Sequence, residues 1–289
     1  MLLKTLLLVF GVFAGSTAVI MIKACQVNPV ALAAYRLLVA VMILSPLFFR
    51  DLSRHRHAFN SRHLLRTLLP GLALGLHFIS WNIGARMTLT ANASLIVNFT
   101  PVVMPFFLFF MIRERLTLGE AMGTLLALAG VVLLAGGDFH LEPEHFKGDL
   151  MCFASMLVFS LYLALGRVNR HFPSLWLYVV PLYLTAGIVC VAACVIFGQS
   201  FAIPTSRDLL LSLGLGFIPT VMAHSIMNYS MKHMRGQFVT IANLGQFIFA
   251  GTMAYFVFSK EAPHWNFYIA AGLVVAGAIY ALKSSPSRG

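Results

Sequence analysis

The chain has 289 residues, of which 60% are hydrophobic and only 10% charged. A water-soluble domain carries about a quarter charged residues, so an ordinary soluble globule is excluded. The formal net charge of +11 would suit nucleic acid, but the basic residues sit in short breaks between apolar runs and leave no soluble basic surface for that role.

Ten apolar blocks follow one another: 5–24, 30–49, 64–85, 91–112, 118–137, 149–168, 175–198, 209–228, 238–258 and 266–282. Each is close to the ~20 residues that carry an α-helix across about 30 Å of hydrocarbon. The first block starts from Lys4, as a signal peptide would. It lacks a small-x-small cleavage site and a block in the second half mirrors it, so it is expected to be retained. The expected fold class is all-α integral membrane, with ten transmembrane helices and no separate soluble domain. Of the 20 Lys and Arg, 14 fall on one side if the N-terminus is inside, while the acidic loop from Asp138 to Asp149 falls on the other. That asymmetry predicts cytoplasmic N- and C-termini and contact of the basic loops with anionic lipid.

The two halves match. Glu114 and Glu261 each follow a span, and Gly130 and Gly277 follow those glutamates at the same offset of 16 residues. His77 and His224 precede the same two glutamates by 37 residues. With five spans per half, the second half enters the membrane inverted relative to the first. Inverted repeats mark secondary transporters, whose solute site lies near the midplane where the halves meet.

The candidate site residues follow from what an ionisable or amide group is doing in hydrocarbon. His77 and Trp81 are four apart and share a helix face. Gly71 and Gly75 lie about 200° away from His77 and suit close helix packing, which leaves the His77 side for a cavity. His224 and Asn228 repeat the spacing, after Pro219, which can break a helix and free carbonyls. Asn98 lies on one side of its span with Ser94, Pro101 and Pro105. Asn98 and Asn243 can be interhelical glue or solute contacts alike, whereas Gln237 and Gln246 lean to glue. Tyr162 can offer a hydroxyl to the cavity, although buried tyrosines are more often structural. Lys23 and Arg36, near span ends, read as snorkelling to the interface.

No Asp or Glu lies in the middle of a block, so a carboxylate proton relay or sodium site is not expected. His77 and His224 are the mid-span groups able to titrate near neutral pH. The four cysteines, Cys25, Cys152, Cys190 and Cys194, show no metal or redox spacing and read as small apolar packing. HLEPEH (His140 to His145) has metal-ligand residue types in an exposed acidic loop, where solvated surface is the better reading. No nucleophile, base and orienter converge, so neither an enzyme, a metal nor a cofactor is expected.

The stretch FGVFAGSTAVIMIKACQVNPVALAAYRLLVA, then GLHFISWNIGARMTLTANASLIVNFTPVVMPFF followed by RERLTLGE, and GDLMCFASMLVFSLYLALGR opening the second half together resemble the drug/metabolite transporter superfamily, EamA type. The resemblance covers essentially the whole chain. It implies two inverted five-helix EamA repeats, over residues 1–137 and 148–283, and a central cavity lined by spans one, three, four, six, eight and nine. It also implies export of small metabolites. One departure stands out: Ala14-Gly15 replaces the Trp-Gly of many members, removing an aromatic wall. The expectation is thus a secondary carrier in a bacterial inner membrane, exporting amino-acid-like or amphipathic solutes. Its partners would be a small-molecule substrate and the bilayer, with a homodimer open. Uptake, or a non-transporting scaffold using Gly119, Gly123 and Gly272 for dimerisation, are the alternatives.

Overall fold

The computed structural model describes residues 2–88, 93, 96–135, 143–254 and 265–284. Among these residues every regular element is helical. The helices are α1 (Leu2–Ala24), α2 (Pro29–Arg54), α3 (Ser61–Met87), α4 (Thr100–Ile112), α5 (Leu118–Ala135), α6 (Phe146–Val168) and α7 (Leu175–Ile196). They continue with α8 (Ser206–His233), α9 (Gly236–Asn243), α10 (Gln246–Ala254) and α11 (Trp265–Ser284). Seven, α1, α2, α3, α6, α7, α8 and α11, are long and apolar enough to cross a membrane, and shorter apolar helices fill the other blocks. Leu3, Phe106, Phe110, Leu125, Val195 and Ile196 point outward and exposed. A surface so apolar is a liability in water and the normal face of a protein in lipid.

Polar residues at the ends set the helix starts. Asn28 accepts from the backbone N–H of Val30 (2.9 Å) and Ala31 ahead of α2, with Pro29 at the first helical position, where its missing N–H costs nothing. Thr205 caps α8 through the Asp208 N–H at 3.1 Å.

Helix packing is reciprocal between the halves. α3 packs on α6 as α8 packs on α1, while α2 pairs with α7 and α5 with α11. The α5–α11 pair is close because glycines face it. A Cβ on Gly130 would lie 2.6 Å from the Ala270 carbonyl, and one on Gly277 would lie 2.5 Å from the Gly123 carbonyl. The offset that takes Gly130 to Gly277 also takes Gly123 to Ala270, so these are one contact made twice.

Three places depart from straight helix. In the fourth block, helix gives way at Asn98–Phe99 before α4 begins, and in the ninth Leu244–Gly245 separates α9 from α10. Both breaks tighten to bonds three residues back: Phe99 to Ile96 (3.1 Å), Val102 to Phe99 (2.9 Å), Leu244 to Ile241 (3.1 Å), Gly245 to Ala242 (3.0 Å). In α8, residues Gly216–His224 form a π-helical segment around Pro219. Proline cannot donate and its ring clashes with the carbonyl four back, so the turn widens. The Thr220 hydroxyl then takes up the Leu215 carbonyl at 2.8 Å.

Candidate functional site

These departures converge. A cavity of about 100 Å³ is lined by residues of α1, α2, α3, α6, α8, α9 and α10 and by Val97 and Asn98 of the first break. Asn243 and Gln246 reach it from either side of the second break. Interrupted helices at corresponding places in two halves bring backbone polar groups to a site that a regular helix would seal. The volume is below the ~300 Å³ of common ligand sites, so in this conformation the helices enclose only part of a larger solute.

Five of the seven candidate residues, His77, Trp81, Asn98, His224 and Asn243, line this cavity. His77 and His224 face each other with ring centroids 6.3 Å apart. His77 stacks on Phe159 at 4.6 Å, and its Nδ1 lies 2.8 Å from the Ser155 hydroxyl and 3.2 Å from the Ser155 carbonyl. It is therefore both a positioned core histidine and a cavity wall. His224 meets Phe78 edge-on at 4.9 Å, and its buried Nδ1 has no hydrogen-bond partner among the described residues.

Tyr162 and Asn228 lie behind the wall instead of lining it. Asn228 Nδ2 donates to the Tyr162 hydroxyl and to the His224 carbonyl at 2.8 Å, and the Tyr162 ring sits 5.9 Å from that of His224. The pair fixes His224 from the rear. Gly71 and Gly75 pack on α7, against Thr185, Val189 and the Leu182 and Ala186 carbonyls, and the His77 side is left to the cavity. Gln237 bridges helices, donating to the Pro101 carbonyl at 2.9 Å and to Thr124 at 2.7 Å. Ser94 lies outside the described residues, as do Asp138, His140 and Glu261.

Three readings are corrected. Arg36 does not snorkel: it is 1% exposed and lines the cavity. Its Nε donates to the Thr220 hydroxyl at 2.9 Å and its guanidinium lies 3.8 Å over the Phe78 ring. Position near a span end suggested an outward reach; the π-helical turn places Thr220 so that the side chain folds inward. Lys23, by contrast, is exposed. Gln246, read as glue, donates to Asn243 at 2.6 Å and also forms cavity wall beside Gly15. The Gly119 and Gly123 strip is not free for a second chain, because it is filled by Ser284, Gly277 and Ala281 of α11; Gly272 alone of those glycines meets nothing within 4 Å.

One end of the bundle is tied shut by charge. Arg113 takes a left-handed conformation (φ 55°) after α4, reversing the chain so that Glu114 turns inward. Glu114 accepts from Arg167 Nε and Nη2, both at 2.9 Å, and Arg167 also donates to the Met231 carbonyl at 3.1 Å. Glu120, fully buried, accepts from Arg235 through two bonds, one of 2.9 Å. Burial opposes the charge of Arg235, but the bond and charge of Glu120, with Glu114 beyond, hold its pKa above the ordinary value. These pairs tie the α4–α5 connection and the first turn of α5 to the end of α6 and to the α8–α9 connection. The acids were visible in RERLTLGE, but not their partners, which come from the other half. Among the described residues no three or more His, Cys, Asp and Glu side chains cluster so as to hold a metal ion.

Known proteins share this architecture. A solved crystal structure superposes with a TM-score of 0.80 at 21% identity over 99% of both chains. The chain is 28% identical over 218 residues to the aromatic amino acid exporter YddG of Ancylobacter novellus, covering 73% of each protein. It is 25% identical over 189 residues to solute carrier family 35 member G1 of Mus musculus, covering 60% of this chain and 50% of that one. The profile of the EamA-like transporter family matches twice, over residues 3–136 and 146–283. Matched across both halves, this chain belongs to the EamA-like transporter family.

Proposed function

We propose that the chain is a secondary carrier with ten spans in two inverted repeats, 1–137 and 148–283. It exports small amphipathic solutes across a bacterial cytoplasmic membrane by alternating access. The observation that carries the reading is the cavity at the meeting of the halves, flanked by His77 and His224 and by the two helix breaks. The likeness to an aromatic amino acid exporter supports export and an amino-acid-like solute, and the apolar wall of Phe78, Phe159 and Phe247 suits an aromatic or aliphatic body. With both termini cytoplasmic, as the basic loops favour, the tied end holding Glu114, Arg167 and Arg235 faces the cytoplasm. His77, Trp81, Asn98, His224 and Asn243 contact the solute, while Tyr162 and Asn228 position His224.

Efflux from proteoliposomes loaded with a mixed metabolite pool, read by mass spectrometry against empty vesicles, tests this. Compounds that leave only through the wild type support the carrier and name its solute. Correctly inserted protein that releases nothing under any imposed gradient contradicts it.

A further inference from the structure

The cavity holds a buried cation, Arg36, that no carboxylate among the described residues neutralises. Arg36 donates to Thr220 and lies over Phe78, both neutral, and no described carboxylate pairs with it. The buried and part-buried acids among the described residues are committed elsewhere: Asp51 to Arg50 and Ser174, Glu114 to Arg167, Glu120 to Arg235, Asp149 to Thr88, Asp208 to Gln26 and Thr205; Glu144 is exposed and not among the cavity residues. The repeat supplies no counter-charge either. The offset that takes His77 to His224 takes Arg36 to Tyr183, a neutral residue whose hydroxyl bonds the Thr220 carbonyl at 3.3 Å.

A desolvated, unpaired charge is costly, and an intramembrane arginine normally faces a partner or a pathway. Thr220 engages Nε, which leaves the two terminal nitrogens as a fork, the geometry that fits a carboxylate. The other polar walls, Ser16, Asn98, Asn243, Gln246 and the two histidines, are a hydroxyl, amides and imidazoles, and no Asp or Glu among the described residues lines the cavity. A solute ammonium would find no counter-charge there.

We propose that the cavity selects an organic monoanion, its carboxylate on the Arg36 fork and its apolar or aromatic body against Phe159, Phe247 and Trp81. Zwitterions and neutral analogues are disfavoured. The proposal rests on the carrier reading above but departs from its amino-acid-like solute: among amphipathic solutes it selects carboxylates that carry no ammonium group.

The test is calorimetric binding to purified protein in lipid nanodiscs, at a pH where the acid is ionised, with phenylpropanoate, phenylalanine and phenylpropanamide. The anion is expected to bind wild type roughly tenfold more tightly than either analogue. Arg36→Gln is expected to remove that margin, and Arg36→Lys to keep part of it. Equal binding of the three by wild type overturns the proposal, as does an Arg36→Gln loss common to all three. Should Arg36→Gln fail to fold, the wild-type margin and Arg36→Lys decide. Metabolite efflux, measured separately, tells the two readings apart: export of zwitterions without preference for anions leaves the carrier standing and the anion proposal refuted.

Discussion

The imidazoles of His77 and His224 lie 6.3 Å apart, centroid to centroid, although they belong to opposite halves of the chain. Each reaches the cavity from a differently built helix. α3 is regular there, whereas α8 is widened by the π-helical segment that ends at His224. A ligand resting against both rings would touch both repeats at once, which is what alternating access requires of a central site.

The first prediction concerns that pair. His77→Ala and His224→Ala should each lower transport about tenfold, the effect of losing roughly 1.4 kcal/mol of solute contact, without loss of membrane insertion. Initial efflux rates from vesicles with matched protein content check this. Normal rates in both single variants and in the double variant would remove the histidines from the pathway.

Pro219 offers an opposite pattern. Pro219→Ala restores a donor and relieves the ring clash, so the wide turn can return to regular helix. Stability should rise by roughly 1–3 kcal/mol, seen as a higher unfolding temperature in detergent. Transport should fall, because Thr220 would rotate away from Arg36. A variant that gains stability and keeps full transport would show that the π-helical segment is incidental.

The α5–α11 seam makes a packing prediction. Gly277→Ala places a Cβ 2.5 Å from the Gly123 carbonyl, and overpacking of this kind costs roughly 1–3 kcal/mol. Gly272→Ala meets nothing and should be neutral or gain up to about 1 kcal/mol of helix propensity. Thermal unfolding of the two variants side by side separates a tight intramolecular seam from a loose one.

The charged end should behave as coupled pairs. Glu114→Gln takes away the carboxylate that Arg167 pairs with, at a side chain 2% exposed, and breaking a buried pair costs roughly 3–5 kcal/mol. The double variant Glu114→Gln/Arg167→Gln should recover part of that loss. Additive losses in the double variant would mean the two side chains do not act on one another.

Much of this was legible in the sequence. Block lengths located the helices, and the equal offsets of His77, His224, Gly130 and Gly277 marked corresponding positions of the two halves, without revealing that Gly130 and Gly277 pack in one seam. What stayed hidden was long-range or register-dependent. Arg36 looked like an interfacial cation because depth along a span says nothing of which way a side chain folds. The ion pairs of Glu114 and Glu120 join residues more than fifty positions apart, and no local pattern encodes them. The breaks at Asn98–Phe99 and Leu244–Gly245 fall inside blocks whose mean hydropathy stays high, and hydropathy does not register a change of backbone. Tyr162 and Asn228 carried the right residue types but one layer too deep, since a shared helix face does not fix which residue reaches the lumen.

The most direct test of the central claim, that solute passes through the His77–His224 cavity, is block of efflux from inside that cavity. The four native cysteines are buried, so Ala18→Cys adds a thiol to the cavity wall against a quiet background. With a membrane-impermeant thiol reagent, efflux through Ala18→Cys should stop while wild type continues, and solute should slow the labelling. Complete labelling of Ala18→Cys with efflux undiminished would place the solute path elsewhere.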